Sequence, residues 1–152
     1  MRGKKPFGEV DFNQGISAAL VTMHHADRLR ELNLKYIRLA WDSIDYESQF
    51  MRGWDILRRS GFPRSKIAVY VLIGFNDTPD DARYRLEMVR RLGAEPFAMR
   101  YQPLDTKVKN SHFQEPWTHE ELQRFTRYWN SQRYTRRIPF DEFRNNYSEN
   151  HG

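Results

Sequence analysis

Apolar positions along the chain form short strand-like runs separated by longer stretches with helical spacing. The clearest run is residues 67–74, Ile-Ala-Val-Tyr-Val-Leu-Ile-Gly, rich in β-branched residues and bounded by a Pro/Ser loop and a polar turn. Such a run reads as a strand buried on both faces, the kind found in parallel sheets. Around residues 35–42 the pattern alternates instead. Ile37, Leu39 and Trp41 share one side, and Tyr36, Arg38, Ala40 and Asp42 the other. Further strands are expected over 10–15 and 96–102.

Between the strands the period changes to that of a helix. One helix is expected from Thr22 to about Asn33, with Ala26, Leu29 and Leu32 on its stripe. A second runs from about Ile44 to Ser60, aligning Phe50, Trp54 and Leu57, with Gly61 as a left-handed stop. Thr78-Pro79-Asp80-Asp81 combines a hydroxyl cap, a first-position proline and first-turn acids, so it opens a third helix. Ala82, Leu86, Val89 and Leu92 are its buried stripe, and Gly93 ends it. Thr118 to Glu121 has capping-box spacing ahead of Leu122, Phe125 and Trp129. Residues 139–143 predict a turn and a short helix held by Phe140 and Phe143. Strand–helix alternation with short loops argues an α/β fold with a parallel sheet and right-handed crossovers. No composition shift marks a boundary, so 1–152 reads as a single domain: β/α units over about 8–105, and a C-terminal extension with a helix over 106–152.

Composition narrows the function classes. The chain has 152 residues, 39% of them hydrophobic and 14% aromatic, with a formal charge of +5. That suits one folded core. No run approaches the roughly 18 apolar residues of a membrane span, and no apolar segment follows the basic start, so a cytoplasmic protein without membrane partners is expected. There are 0 cysteines, which excludes disulfides, thiol nucleophiles and thiolate metal sites. Arginine dominates the basic residues, and guanidinium suits phosphate and carboxylate recognition. His24 and His25 are adjacent and diverge on a helix, and His112, His119 and His151 lack ligand spacing. Neither a Gly-x-Ser-x-Gly elbow nor a Gly-rich phosphate loop occurs.

Parallel α/β sheets bind ligands at the carboxyl ends of their strands. The residues there are Asn13, Gln14 and Gly15; Asp42; Gly74, Asn76 and Asp77; and Arg100, Gln102 and Asp105. This row suits a polar ligand such as a ribose or carboxylate. Arg38, on the same strand side as Asp42, joins Arg100 and Gln102 as a candidate substrate contact. Gly74 is expected to let a flat ligand approach the backbone. Trp117, Phe125, Tyr128, Trp129 and Tyr134 read as core at helical spacing, with base stacking beside Arg124, Arg127 and Arg133 as the alternative.

The segment Val69-Tyr70-Val71-Leu72-Ile73-Gly74-Phe75-Asn76-Asp77-Thr78-Pro79-Asp80-Asp81-Ala82, with Arg85 and Leu86, resembles the later part of the radical S-adenosylmethionine (radical SAM) enzyme core. Phe12-Asn13-Gln14-Gly15, Arg38-Leu39-Ala40-Trp41-Asp42 and Pro96-Phe97-Ala98-Met99-Arg100-Tyr101 fall in the matching order, so the resemblance spans about residues 8–145. It implies a parallel-sheet partial (β/α) barrel, of which this chain is the half from the fourth strand onward. It implies S-adenosylmethionine (SAM) as ligand, with the positions of the family's adenine motif falling on Tyr70, Leu72, Gly74 and Asp77. Of these Gly74 is kept, Leu72 and Asp77 are close replacements, and Tyr70 departs. Asn13 or Gln14, and Asp42, would meet the SAM ribose and carboxylate.

The family's three-cysteine loop for a [4Fe–4S] cluster is absent, so this chain alone cannot ligate one. The expectation is a truncated or split radical SAM core that keeps part of a SAM or substrate pocket. Its missing half would come from a homo-oligomer or a complementary chain, because an open half-barrel leaves two unpaired sheet edges. The alternative is a non-enzymatic, arginine-rich α/β module that binds nucleic acid or a protein partner.

Overall fold

The structure is a computed structural model that describes residues 16–17, 22, 27–28, 36–105 and 107–145. The strand expected over 10–15 lies outside the described residues. So does most of the helix expected from Thr22 to Asn33, of which Asp27 and Arg28 are helical. The sheet has four strands in sequence order, all parallel: β1 (Ile16–Ser17), β2 (Ile37–Trp41), β3 (Ile67–Ile73) and β4 (Glu95–Arg100). Helix α1 (Glu47–Arg59) crosses from β2 to β3 and α2 (Pro79–Leu92) from β3 to β4. Beyond β4 come α3 (His119–Trp129) and the single-turn α4 (Gln132–Thr135).

Consecutive strands lie side by side, so right-handed crossovers place α1 and α2 on one face of the sheet. On that face Ile37, Leu39, Trp41, Ile67, Val69, Val71 and Ile73 are all at most 2% exposed. They pack against the expected stripes, Phe50, Trp54 and Leu57 of α1 and Ala82, Leu86 and Val89 of α2. Trp41 stacks on Phe50 with ring centroids 4.3 Å apart. Local signals place the ends: Thr78 Oγ1 accepts from the Asp81 N–H and Thr118 Oγ1 from the Glu121 N–H. Gly61 and Gly93 adopt φ of 97° and 87°, the left-handed stops expected for them.

The opposite face differs from expectation. Register pairs Tyr70 with Phe97 and Leu72 with Met99. Tyr70, Leu72 and Phe97 are half-buried, and Met99 is 45% exposed. Burial of β3 on both faces therefore holds only at its amino end, because no described helix covers Tyr70 or Leu72. Among the described residues the architecture is a four-stranded parallel α/β sheet that does not close on itself. The aromatic C-terminal third resolves in favour of core. Trp117, Phe125, Tyr128, Trp129, Phe140 and Phe143 are buried against one another, closed to base stacking. Arginines sit over their rings, with Arg124 3.9 Å from the Phe140 centroid. Among the described residues, no helix is long and apolar enough to cross a membrane.

Candidate functional site at the carboxyl edge of the sheet

Arg85 organises this edge from beneath. It is fully buried in the stripe of α2, and each guanidinium nitrogen donates: Nε to Asp81 Oδ1 at 2.8 Å, Nη1 to the Trp41 carbonyl at 3.0 Å, Nη2 to Asp77 Oδ2 at 2.9 Å. The other Asp77 oxygen accepts from Trp117 Nε1 at 2.8 Å and from the Gly74 N–H at 2.9 Å. One charge cluster thus ties the end of β2, the loop after β3, the first turn of α2 and the segment before α3. Burial pushes the Asp77 carboxyl up, and the Trp117 N–H and Arg85 draw it partly back. With both oxygens engaged inside the protein, Asp77 holds the loop in shape.

Gly74 has φ +87°, and a Cβ there would meet Leu122 Cδ2 at 3.0 Å. Its missing side chain makes room for α3 rather than for an open pocket. Asn76, at φ 51°, turns the loop outward, and its N–H donates to Gln114 Oε1 at 2.8 Å.

Above this base lies a half-exposed rim. Phe75 packs on Tyr101 at 4.5 Å, Tyr101 meets His112 edge-on at 5.5 Å, and Phe113 meets His119 at 4.5 Å. Arg100 Nη2 reaches the His112 carbonyl and His119 Nδ1, each at 2.8 Å. Its Nε is buried without a partner, and burial holds its guanidinium below the ordinary arginine range. Gln102 Oε1 accepts from the Asn110 N–H at 3.4 Å, and Asp42 is exposed just past β2.

The structure therefore brings Gly74, Asp77, Arg100 and Gln102 to one edge, with Tyr70 and Leu72 on the bare sheet face. Arg38 lies apart, at the amino end of the sheet, with its guanidinium 5.7 Å and 6.0 Å from the Tyr36 and Tyr70 ring centroids. Asn13 and Gln14 lie outside the described residues. Sequence reasoning missed Arg85 and Trp117, whose polar atoms hold the edge. The signal for Arg85 was its spacing, four residues after Asp81 and eight after Asp77.

An apolar sheet face bordered by aromatic rings, backbone amides and an arginine without a carboxylate partner can hold a flat heteroaromatic ligand with a polar or anionic arm. Neutral SAM adenine fits such a face, and Asp77 is too enclosed to contact it. An iron–sulfur cluster does not fit this chain, which has 0 cysteines, and the described residues contain no group of three or more metal-ligating side chains. No family model matches the chain, and neither curated proteins nor solved structures give a significant match.

Proposed function

We propose that this chain supplies the later β/α units of a radical SAM type partial barrel, and that SAM lies across its bare sheet face and carboxyl edge. The observation that carries this reading is the partly exposed column of Tyr70, Leu72, Phe97 and Met99 running into the Phe75–Tyr101 rim. In a barrel such residues line the interior and take ligands at their carboxyl ends. The sequence order of the segments and the all-parallel sheet add support. Any cluster chemistry belongs to a complementary chain that carries the cysteines. This chain's part is to bind and orient the nucleoside.

Isothermal titration of the full chain with SAM tests the reading. Saturable binding that persists as salt rises, and that Leu72→Glu abolishes without lowering the melting temperature, is the expected result. Absence of heat at millimolar SAM would overturn it. So would binding that collapses with salt, the mark of phosphate contacts made by a nucleic-acid binder.

A further inference from the structure

At the opposite end of the sheet two adjoining open cavities lie between the strand starts, the end of α2 and the C-terminal extension. The first, about 340 Å³, is walled by Phe97, Pro96, Trp129 and Arg38; the second, about 480 Å³, by Arg64, Arg90 and Arg136. Both share Tyr36, Glu95 and Pro96. Their chemistry changes from one end to the other. The first is walled by the rings of Tyr36, Phe97 and Trp129, with Arg38 beside them.

The second cavity is basic. Arg90 is already neutralised, bonding both Glu87 oxygens at 2.7 Å and Tyr128. Arg64 and Arg136 form no ion pair with a described carboxylate. Arg64 is held at the wall by its fit against Gly93, where a Cβ would stand 2.8 Å from the Arg64 Cδ. Glu95 lies between the two ends, the one carboxylate lining either cavity.

We infer that this amino-end cleft is a binding site for a nucleoside monophosphate. The base lies against Phe97 and Pro96. The ribose hydroxyls donate to Glu95, and the phosphate meets Arg64 and Arg136. A carboxylate between an aromatic end and a cationic end matches the order base, sugar, phosphate, and a carboxylate facing sugar hydroxyls is a recurrent device in nucleotide sites. The single basic mouth calls for one phosphate, which favours a free mononucleotide over a nucleic-acid strand. The site lies at the other end of the sheet from the carboxyl edge, meets the SAM column only at Phe97, and its phosphate contacts at Arg64 and Arg136 do not rest on the SAM reading.

The test titrates the full chain with each of the four ribonucleoside monophosphates, the parent nucleosides, inorganic phosphate and a single-stranded oligonucleotide, read by calorimetry. The expected result is saturable binding of at least one monophosphate, at least tenfold tighter than its nucleoside and than phosphate. Arg64→Ala and Arg136→Ala should each weaken it about tenfold, the size of a lost charge-assisted hydrogen bond, and leave nucleoside affinity unchanged. Glu95→Gln, at a partly exposed position, should weaken ribose nucleotides and not phosphate. Equal affinity for phosphate and nucleotide would overturn the inference, as would tighter binding of the oligonucleotide or no saturation at millimolar ligand. Leu72→Glu, which tests the carboxyl-edge reading, should leave nucleotide affinity intact.

Discussion

Arg85 and Asp77 form a pair whose side chains are 0% and 4% exposed, so neither can be removed alone without leaving the other charged in the core. Breaking such a pair costs about 3–5 kcal/mol. Asp77→Ala should therefore lower stability by about that amount in urea denaturation. Asp77→Asn should cost less, since its carbonyl can still accept from Trp117 and Gly74. A loss under about 1 kcal/mol for the alanine variant would mean the cluster is not closed to water. The pair also has a pH signature. Burial raises the Asp77 carboxyl above its ordinary 3.8, so its contribution is complete below that value and is lost as pH rises through the folded-state one. Asp141 behaves oppositely: the Arg83 guanidinium beside it holds its carboxyl low, so its contribution is present above 3.8 and lost as pH falls below it. Stability measured against pH should thus gain a rising acid limb from Asp141, which Arg83→Ala removes. Asp77→Asn should instead remove a decline at higher pH.

At the scale of elements, β4 ends the described sheet, and its outer edge is closed by a side chain. The Tyr101 N–H donates inward to the Ile73 carbonyl, so along β4 the even residues Pro96, Ala98 and Arg100 turn their backbone groups outward. Pro96 has no N–H to offer. The Asn130 amide imitates a neighbouring strand at Ala98, its Oδ1 accepting from the Ala98 N–H at 2.8 Å and its Nδ2 donating to the Ala98 carbonyl at 3.0 Å. An unpaired edge invites pairing with another chain, and here that hazard is blocked. Asn130→Ala should cost about 1–2 kcal/mol and raise light scattering above that of the parent chain at equal concentration; unchanged scattering would mean the edge was harmless. The sequence pattern conveyed the helix stripes, both threonine caps and β3, because each is set by local spacing and local backbone chemistry. Asn130 was not legible. Nothing near it in sequence marks it as facing Ala98, 32 residues away. Arg85 was missed for a related reason: a stripe counted by apolar residues passes over a charge that completes the same face. The candidate site was legible only in part. Strand ends place Arg100 and Gln102 at the carboxyl edge, yet the surroundings of Asp77 and Gly74 depend on Trp117, just before α3, and Leu122, within it.

For the whole molecule, the closed β4 edge changes how association should proceed. An open half-barrel would pair through strands, whereas here the largest unmet demand is the sheet face. Tyr70 and Phe97 meet edge-to-face at 5.8 Å, Leu72 and Met99 continue the column, and Met99 and Phe75 remain 45% and 38% exposed. Contiguous apolar surface of this kind marks an interaction face. In the absence of a complementary chain, copies should stack face against face and dissociate on dilution. Sedimentation equilibrium of the purified chain should show a mass that rises with concentration, and Leu72→Glu with Met99→Glu should return it to the monomer by placing charge in the contact. Because the backbone edge takes no part, Arg100→Pro, which changes only the outward β4 groups and one guanidinium, should leave that concentration dependence in place. A concentration-independent monomer would show that the column is too small to drive association, and a mass abolished by the edge variant but not by the face variants would restore strand pairing as the route.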